Sequence, residues 1–201
     1  ESILKDKKYI SDNEKFDLVI SCGRKSVIPS ILLKKKNKDV FTIHIQDPKT
    51  NFNNFDIIVV PEHDGVNGEN IINSKGAIHY ITKEEIEKSK NYLANKVTGQ
   101  KIIALILGGP NKYYSFNNKE LSKIFNQIKT SFISIGYKVV VVPSMRTPQK
   151  TIELAKNEFV NDGYTVTNVD KNAYLSSLAI ADSIVVTCDS TSMISESSIS
   201  G

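Results

Sequence analysis

The sequence predicts an α/β protein made of two halves, each a doubly wound parallel sheet with helices on its faces. Three observations lead to this prediction: short apolar runs alternate with amphipathic stretches, several runs are near-continuous Val and Ile, and polar or glycine-containing loops follow the runs. Parallel strands that are covered on both faces lack polar alternation. The alternation of strands and helices then implies right-handed βαβ units.

Short apolar runs are the predicted strands. The clearest are residues 102–107 and 139–142, which contain no polar side chain. In chain order the predicted strands are residues 16–21, 40–45, 56–60, 77–81, 102–107, 138–142, 164–169 and 183–187.

The amphipathic stretches between these runs are the predicted helices. Residues 83–95 begin after Thr82, and Glu85 is placed to complete a capping box. Residues 118–136 carry apolar side chains at helical spacing, and Gly136 is a good terminator. Further helices are predicted at residues 148–161, 173–181 and 190–200.

We predict a domain boundary between residues 98 and 99. A helical stretch ends just before it, Gly99 follows, and a new strand opens at Ile102. Residues 1–98 and 99–201 are then two Rossmann-like halves.

Composition favours a soluble, cytoplasmic protein. Hydrophobic residues make up 40% and charged residues 24%, and no apolar run approaches the ~20 residues that cross a bilayer. The first residues lack the apolar core of a signal peptide. Cys22 and Cys188 are too few for a disulfide framework and lack zinc-ligand spacing, so we expect reduced, partly buried thiols and no metal. The sequence has no initiating Met and stops at Gly201 inside a helical pattern, so we expect a chain trimmed at both ends.

The charge pattern argues against a nucleic-acid partner. The chain carries a formal charge of +4, part of it in a run formed by Lys34, Lys35, Lys36 and Lys38. Lysines in a last turn suit the helix macrodipole, so we interpret the run as a solvated helix end. A nucleic-acid surface would need more basic residues with interleaved aromatic side chains.

Polar residues cluster directly after six of the predicted strands. Ligands of open α/β sheets bind outside the carboxyl ends of the strands, so these loops predict a site in the cleft between the two halves. The six clusters are residues 22–26, 46–48, 61–65, 108–112, 143–148 and 188–192.

Two glycines and a hydroxyl-rich segment of the second half are candidate phosphate contacts. Gly108 and Gly109 would let the backbone approach a phosphate, or they form an ordinary tight turn. Ser190, Thr191 and Ser192 open a predicted helix, where hydroxyl and N–H groups suit an anion; simple N-capping is the alternative. The GxGxxG and Walker A motifs are absent, which argues against NAD or direct ATP use, so we expect no cofactor.

Two arginines and a glutamate extend the candidate binding set. Arg146 and Arg24 each suit bidentate phosphate binding, and a surface ion pair is the equal alternative for both. Glu196 lies a little over one turn into the last predicted helix, where it would accept hydrogen bonds from a ribose diol or face solvent.

Histidine and aspartate side chains in the first half are candidate general bases. His63 lies in the motif Pro61-Glu62-His63-Asp64, where a carboxylate would orient the imidazole. Asp47 is an equal rival, and His44 is interpreted as a satisfied core residue at a strand end.

Six ordered motifs together resemble the mitochondrial-fission ELM family, a plant mitochondrial-fission factor and its bacterial relatives. The motifs are Cys22-Gly23-Arg24, Gln46-Asp47-Pro48, Pro61-Glu62-His63-Asp64, Leu107-Gly108-Gly109-Pro110, Ser144-Met145-Arg146-Thr147-Pro148 and Asp189-Ser190-Thr191-Ser192-Met193-Ile194-Ser195-Glu196. The resemblance spans essentially the whole chain, and full members of the family begin earlier and continue past Gly201. That family in turn resembles glycosyltransferases of the B-type architecture.

The resemblance implies a role for each half. The second half would hold the donor. Its diphosphate would lie against Gly108, Gly109 and residues 190–192. Its ribose would lie against Glu196, and a phosphate or sugar would lie against Arg146. The first half would supply the acceptor site and the base, from Arg24, Asp47, His63 or Asp64.

The leading functional hypothesis is a glycosyltransferase-like protein that binds a nucleotide sugar in the cleft and transfers the sugar to an unknown acceptor. No DxD motif is present, so we expect leaving-group stabilisation without a metal. The alternatives are a non-catalytic adaptor of the mitochondrial-fission-factor type and a nucleotide-sugar epimerase. We expect a bacterial, cytoplasmic protein with no integral membrane segment; peripheral association with the inner membrane and the oligomeric state stay open.

Overall fold

A computed structural model of the chain describes residues 15–97 and 101–200. The chain divides into two units, Glu1–Ile78 and His79–Gly201, and each contains a four-stranded sheet in which all neighbouring strands are parallel. This confirms the predicted α/β class with two Rossmann-like halves. No helix in the described part of the chain is long and apolar enough to cross a membrane.

The first unit has strand order β1-β2-β3-β4, with one long helix between the first two strands. Its core packs Val27 of that helix against Phe55, Ile58 and Val60. Two 3₁₀ turns, Phe52–Asn54 and Glu62–Asp64, flank the third strand. The elements are β1 (Leu18–Cys22), α1 (Arg24–Lys36), β2 (Phe41–Ile45), β3 (Ile57–Pro61) and β4 (Ile71–Ser74).

One ionic contact fixes α1 to its sheet. The Lys34 ammonium donates hydrogen bonds to both oxygens of Asp56, at 3.0 and 2.9 Å. Asp56 also accepts from the backbone N–H and the hydroxyl of Thr42, at 2.7 and 2.8 Å. Because the carboxylate is shared by α1 and β2, the end of the helix cannot slide along the sheet without breaking several charge-assisted bonds.

The second unit has strand order β7-β6-β5-β8 and is wound on both faces. Alternate side chains of β5 point to opposite faces: Leu105 packs with α4 and α5, and Ala104 with α2, α3 and α6. The elements are α2 (Lys83–Ser89), α3 (Asn91–Ala94), β5 (Lys101–Leu107), α4 (Asn118–Ser131), β6 (Tyr137–Pro143), α5 (Gln149–Glu158), β7 (Gly163–Thr165), α6 (Lys171–Ile180), β8 (Ser183–Val186) and α7 (Thr191–Ser197).

The helix signals of the sequence are confirmed in detail at two places. The hydroxyl of Thr82 accepts from the N–H of Glu85 at 3.2 Å, and the Glu85 carboxylate accepts from the N–H of Thr82 at 3.3 Å, which completes the predicted capping box. Gly136 adopts the left-handed conformation, with φ of 94°, and ends the helical stretch that begins with α4. The predicted helix 83–95 is divided at Lys90 into α2 and α3.

Two sequence predictions are wrong. Residues 77–81 form no strand; the fourth strand is β4, which pairs with β3 through Ile58↔Ile71 and Val59↔Ile72. The apolar character of the 77–81 stretch has another cause, since Ile81 is buried in the core of the second unit.

The two thiols are exposed, not partly buried, because Cys22 lies at the end of β1 and Cys188 lies beyond the end of the last strand.

The predicted boundary between residues 98 and 99 lies outside the described residues, and the two units divide between Ile78 and His79. Helices α2 and α3 belong to the second unit because they pack on α6. The buried Ser176 hydroxyl of α6 donates to the carbonyl of Lys90 at 2.9 Å and accepts from the N–H of Leu93 at 3.0 Å. That serine satisfies the backbone at the break between α2 and α3.

His44 of β2 is a buried, neutral histidine. Its side chain is fully inaccessible, its Nδ1 lies 2.8 Å from the Ser21 hydroxyl, and its ring packs 4.9 Å from that of Phe55. Its Nε2 is buried and has no hydrogen-bond partner within the described residues. Burial lowers the pKa of His44, and the negative charge of Asp47 only partly opposes this. The sequence interpretation of His44 as a core residue is correct, but only one of its two nitrogens is satisfied.

The burial of His44 predicts a loss of stability in mild acid. As the pH falls below about 6.5, the unfolded chain binds a proton at His44 before the folded chain does, so unfolding becomes more favourable. This loss continues until the pH reaches the lower pKa of the folded protein. In urea unfolding between pH 7.5 and pH 5, His44→Gln should flatten the dependence of the unfolding midpoint on pH. Equal slopes in the wild-type protein and in His44→Gln would contradict the prediction.

Candidate functional site

The loops after β5, β6 and β8 of the second unit meet at the carboxylate of Asp189. This side chain is 1% exposed and accepts hydrogen bonds from the N–H of Gly109 at 3.1 Å, the hydroxyl of Thr187 at 2.6 Å and the guanidinium of Arg146 at 2.8 Å. The Thr187 hydroxyl in turn accepts from the N–H of Gly108 at 2.7 Å. Asp189 therefore joins three strand ends through one buried, charge-assisted cluster.

A second hydroxyl supports the same junction from the β6 side. The Thr147 hydroxyl lies 2.7 Å from the carbonyl oxygens of both Leu107 and Gly108, and accepts from the N–H of Ser144 at 2.8 Å. The turn after β6 is thus held against the end of β5. Together with the Asp189 cluster, this fixes the place from which Arg146 projects.

Gly108 and Gly109 make room for protein groups of this junction. A Cβ atom at Gly108 would stand 2.1 Å from the carboxylate oxygens of Asp189, and one at Gly109 would stand 1.9 Å from the carbonyl oxygen of Arg146. Both distances are far below a van der Waals contact. The crowding by Asp189 and Arg146 explains why glycine is needed at both positions, as the tight-turn interpretation requires. Contact of the two glycines with a phosphate stays a prediction.

A cavity of about 350 Å³ lies in the second unit beside the Asp189 junction. Its volume is in the range of small-molecule sites, and its walls combine apolar side chains with a few charged ones. The lining residues are Tyr80, Ile81, Ile106, Pro143, Ser144, Met145, Arg146, Val169, Asp170, Lys171, Tyr174, Ser190, Met193 and Glu196. Three of the predicted site residues, Arg146, Ser190 and Glu196, are therefore brought to one cavity.

Glu196 is held at the cavity wall by a tyrosine that the sequence did not reveal. The hydroxyl of Tyr174 donates a hydrogen bond of 2.9 Å to the Glu196 carboxylate. Burial and the nearby charge of Glu196 raise the pKa of the Tyr174 hydroxyl, so it stays protonated and remains a donor. A solvent-facing Glu was the alternative, and the structure instead places this carboxylate in the cavity wall on a fixed donor.

The hydroxyl-rich segment before α7 has divided roles. The Ser190 hydroxyl accepts from the N–H of Met193 at 3.5 Å and caps α7, which is the N-capping alternative. Thr191 and Ser192 are exposed on the first turn of α7. Capping therefore accounts for one of the three hydroxyls.

The candidate residues of the first unit follow three neighbouring parallel strands. Arg24 begins α1 after β1, Asp47 follows β2, and His63 lies in the 3₁₀ turn after β3, so all three lie at the carboxyl edge of one sheet. His63 and Asp64 are exposed, and 3.9 Å separates Nε2 of the imidazole from the nearer carboxylate oxygen. That distance exceeds a hydrogen bond, so Asp64 does not orient the imidazole in this structure.

Asp47 is a fixed carboxylate. Lys49 donates to it from its backbone N–H at 2.7 Å and from its ammonium. Burial acts to raise the pKa of Asp47, but the hydrogen bonds from Lys49 and the positive charges of Lys49 and Arg24 outweigh it and hold the pKa below its usual value. A lowered pKa makes Asp47 a weaker general base.

Comparison with known proteins identifies the family. The sequence model of the family described as mitochondrial fission ELM1 matches residues 2–201. The chain belongs to this family. The resemblance inferred from the six motifs is thereby confirmed.

Two relatives of this ELM1-family chain are longer proteins. It is 29% identical over 230 residues to an uncharacterized protein of Rickettsia prowazekii, an alignment that covers 92% of this chain and 62% of the relative. It is 23% identical over 212 residues to the mitochondrial fission protein ELM1 of Arabidopsis thaliana, with 92% of this chain and 49% of the relative covered. The chain thus spans about half to three fifths of the curated relatives it matches.

The fold of the ELM1-family chain resembles a solved nucleotide-sugar enzyme. The UDP-GlcNAc 2-epimerase of Methanocaldococcus jannaschii superposes with a TM-score of 0.60 at 16% identity, over 92% of this chain and 59% of that one. At this identity the likeness concerns the fold alone. It agrees with the predicted α/β fold class.

The Asp189 junction predicts a large cost for a small change. Asp189→Asn keeps the shape but removes the charge that accepts from Arg146 and Gly109, and a hydrogen bond to a charged group is worth about 1.5–3 kcal/mol. We expect the free energy of urea unfolding to fall by about that amount. Glu153→Gln removes the same charge from the exposed face of α5 and should change the value by less than about 0.5 kcal/mol. Equal effects of the two substitutions would show that Asp189 is not the anchor.

Proposed function

We propose that the second unit binds a nucleotide sugar, and that the chain belongs to a glycosyltransferase-like member of the ELM1 family. One observation carries this proposal: a cavity of ligand size is lined by a guanidinium and a carboxylate, and each is fixed by a hydrogen bond to another side chain of the second unit. Arg146 is anchored by Asp189, and Glu196 is anchored by Tyr174. Side chains held in this way bind a ligand with less loss of rotamer entropy.

The charges of the cavity suit the parts of such a ligand. Arg146 is 41% exposed despite its bond to Asp189, so it remains accessible to an anion such as a diphosphate. Glu196 is an acceptor suited to the two hydroxyls of a ribose. Met145 and Val169 supply apolar surface for a base or sugar face.

The proposed reaction transfers a glycosyl group. An acceptor oxygen attacks the anomeric carbon, the bond from that carbon to the diphosphate oxygen breaks, and the acceptor proton passes to a base. Negative charge then develops on the departing diphosphate, where the guanidinium of Arg146 would stabilise it without a metal. His63, Asp64 and Asp47 of the first unit stay the candidate bases, and the pKa of the Asp47 carboxyl lies below its usual value.

A non-catalytic adaptor is the second candidate function. The observation that favours it is the relative from Arabidopsis thaliana, which carries the name of a mitochondrial fission protein. An adaptor would need a binding surface but no ligand in the cavity. The epimerase alternative shares the donor cavity with the transferase, and a fold likeness at 16% identity gives it no separate support.

Nucleotide binding is the first test of this proposal. The chain is screened by thermal unfolding against nucleoside diphosphates and their sugar conjugates, and a ligand that binds only the folded state at 100 times its Kd adds about 2.7 kcal/mol of stability. We expect one nucleotide to raise the unfolding midpoint.

The variants locate the site. Glu196→Gln keeps the shape of the carboxylate and should lose most of the shift, whereas the exposed control Glu153→Gln should retain it. If no nucleotide changes the thermal unfolding midpoint of the folded protein, the donor proposal is overturned. The adaptor function would then be tested by capture of binding partners.

A further inference from the structure

The exposed face of α1 in the first unit has an unusual composition. Ile28 is 51% exposed and Leu32 is 41% exposed, although outward positions of a surface helix are ordinarily polar. Every other exposed side chain of the helix is cationic, and the helix contains no Asp or Glu. The exposed face, here called the α1 face, consists of Arg24, Lys25, Ile28, Leu32, Lys35 and Lys36.

Helical geometry places these six side chains on one stripe. Positions 24, 28 and 32 follow each other at intervals of four, position 35 continues the row, and positions 25 and 36 lie beside it. The two aliphatic side chains therefore occupy the middle of the stripe, and cations lie at both of its ends. The stripe is an apolar centre within a positively charged rim.

The fold does not require the two aliphatic side chains of this face. The opposite side of α1 packs on the sheet through the buried residues Val27 and Ser30, and Lys34 binds Asp56 and the carbonyl of Val40. Lys34 thus serves the fold, whereas the side chain of the next residue, Lys35, is exposed. Substitution of Ile28 and Leu32 by polar residues would remove exposed apolar area without opening the core.

We propose that the α1 face docks on an anionic lipid surface. Interfacial helices combine aliphatic side chains, which enter the boundary between headgroups and acyl chains, with Lys and Arg that pair with anionic headgroups. Charge complementarity selects an anionic surface, and the aliphatic centre selects lipid over nucleic acid, because phosphate contacts would leave Ile28 and Leu32 in water. The exposed Asp39, beyond the end of the helix, is the nearest carboxylate in sequence.

The docking surface does not use the cavity of the nucleotide proposal. It uses helix α1 of the first unit, and the cavity lies wholly in the second unit. It refines the sequence expectation that left peripheral membrane association open, since it names the surface and the lipid charge. Within the lysine run that was interpreted as a solvated helix end, Lys34 is therefore bound to Asp56, and Lys35 is exposed on the α1 face.

Vesicle sedimentation of the whole chain tests the inference. The chain is mixed with vesicles of phosphatidylcholine alone and with vesicles that also contain phosphatidylserine, at low salt and at about 1 M salt, where the Debye length is about 3 Å. We expect binding only to the anionic vesicles and its loss in high salt.

Matched variants separate the α1 face from net charge. Lys25→Glu with Lys35→Glu should weaken binding more than about tenfold, because reversed charges on the face repel the lipid. Lys119→Glu with Lys123→Glu makes the same change in net charge on α4 and should leave binding nearly intact. Ile28→Ser with Leu32→Ser should weaken binding while the thermal unfolding midpoint stays near the wild-type value.

Several results would overturn the inference. They are no binding of the wild-type chain to anionic vesicles, an equal loss in the α4 control, and unchanged binding of the Ile28→Ser and Leu32→Ser double variant. Binding to an oligonucleotide but not to vesicles, with the same dependence on Lys25 and Lys35, would assign the face to nucleic acid instead.

Discussion

The buried carboxylate of Asp189 is the interaction on which the candidate site depends. A carboxylate that is 1% exposed would be unstable without partners, and here the bonds from Thr187, Gly109 and Arg146 compensate for its desolvation. These three partners come from the ends of three strands. The cost of burying one charge is therefore offset only when all three loops take their observed positions, and this links the geometry of the cavity to the fold of the second sheet.

The parallel sheets were predictable because burial on both faces leaves a strong local signal. Strands β5 and β6 are nearly uninterrupted Ile, Leu and Val, and their positions were predicted to within one residue at each end. Strand β4 was missed because only Ile71 and Ile72 of its four residues are apolar. Residues 77–81 look like a strand because Ile81 fills the core of the second unit, and a pattern of side chains does not reveal which core they enter.

Three residues that line the candidate cavity were predictable, but the contacts that support them were not. The topological rule that ligands lie beyond strand ends directed attention to Arg146, Ser190 and Glu196, which do line one cavity. The partners that hold them are distant in sequence: Tyr174 lies in a helix with no motif, and Asp189 resembles an ordinary residue before a helix. Such pairings depend on tertiary packing, and one sequence contains no pairwise information about it.

The close approach at Gly108 has a consequence for how this family can change its sequence. A single added carbon at residue 108 would begin inside the volume that the Asp189 carboxylate occupies, 2.1 Å from its oxygens. A larger residue at 108 therefore becomes tolerable only with a shorter side chain at 189, and a shorter side chain there releases Arg146. Positions 108 and 189 should therefore covary: a lineage keeps both residues or replaces both. Replacing both would also change the shape of the cavity.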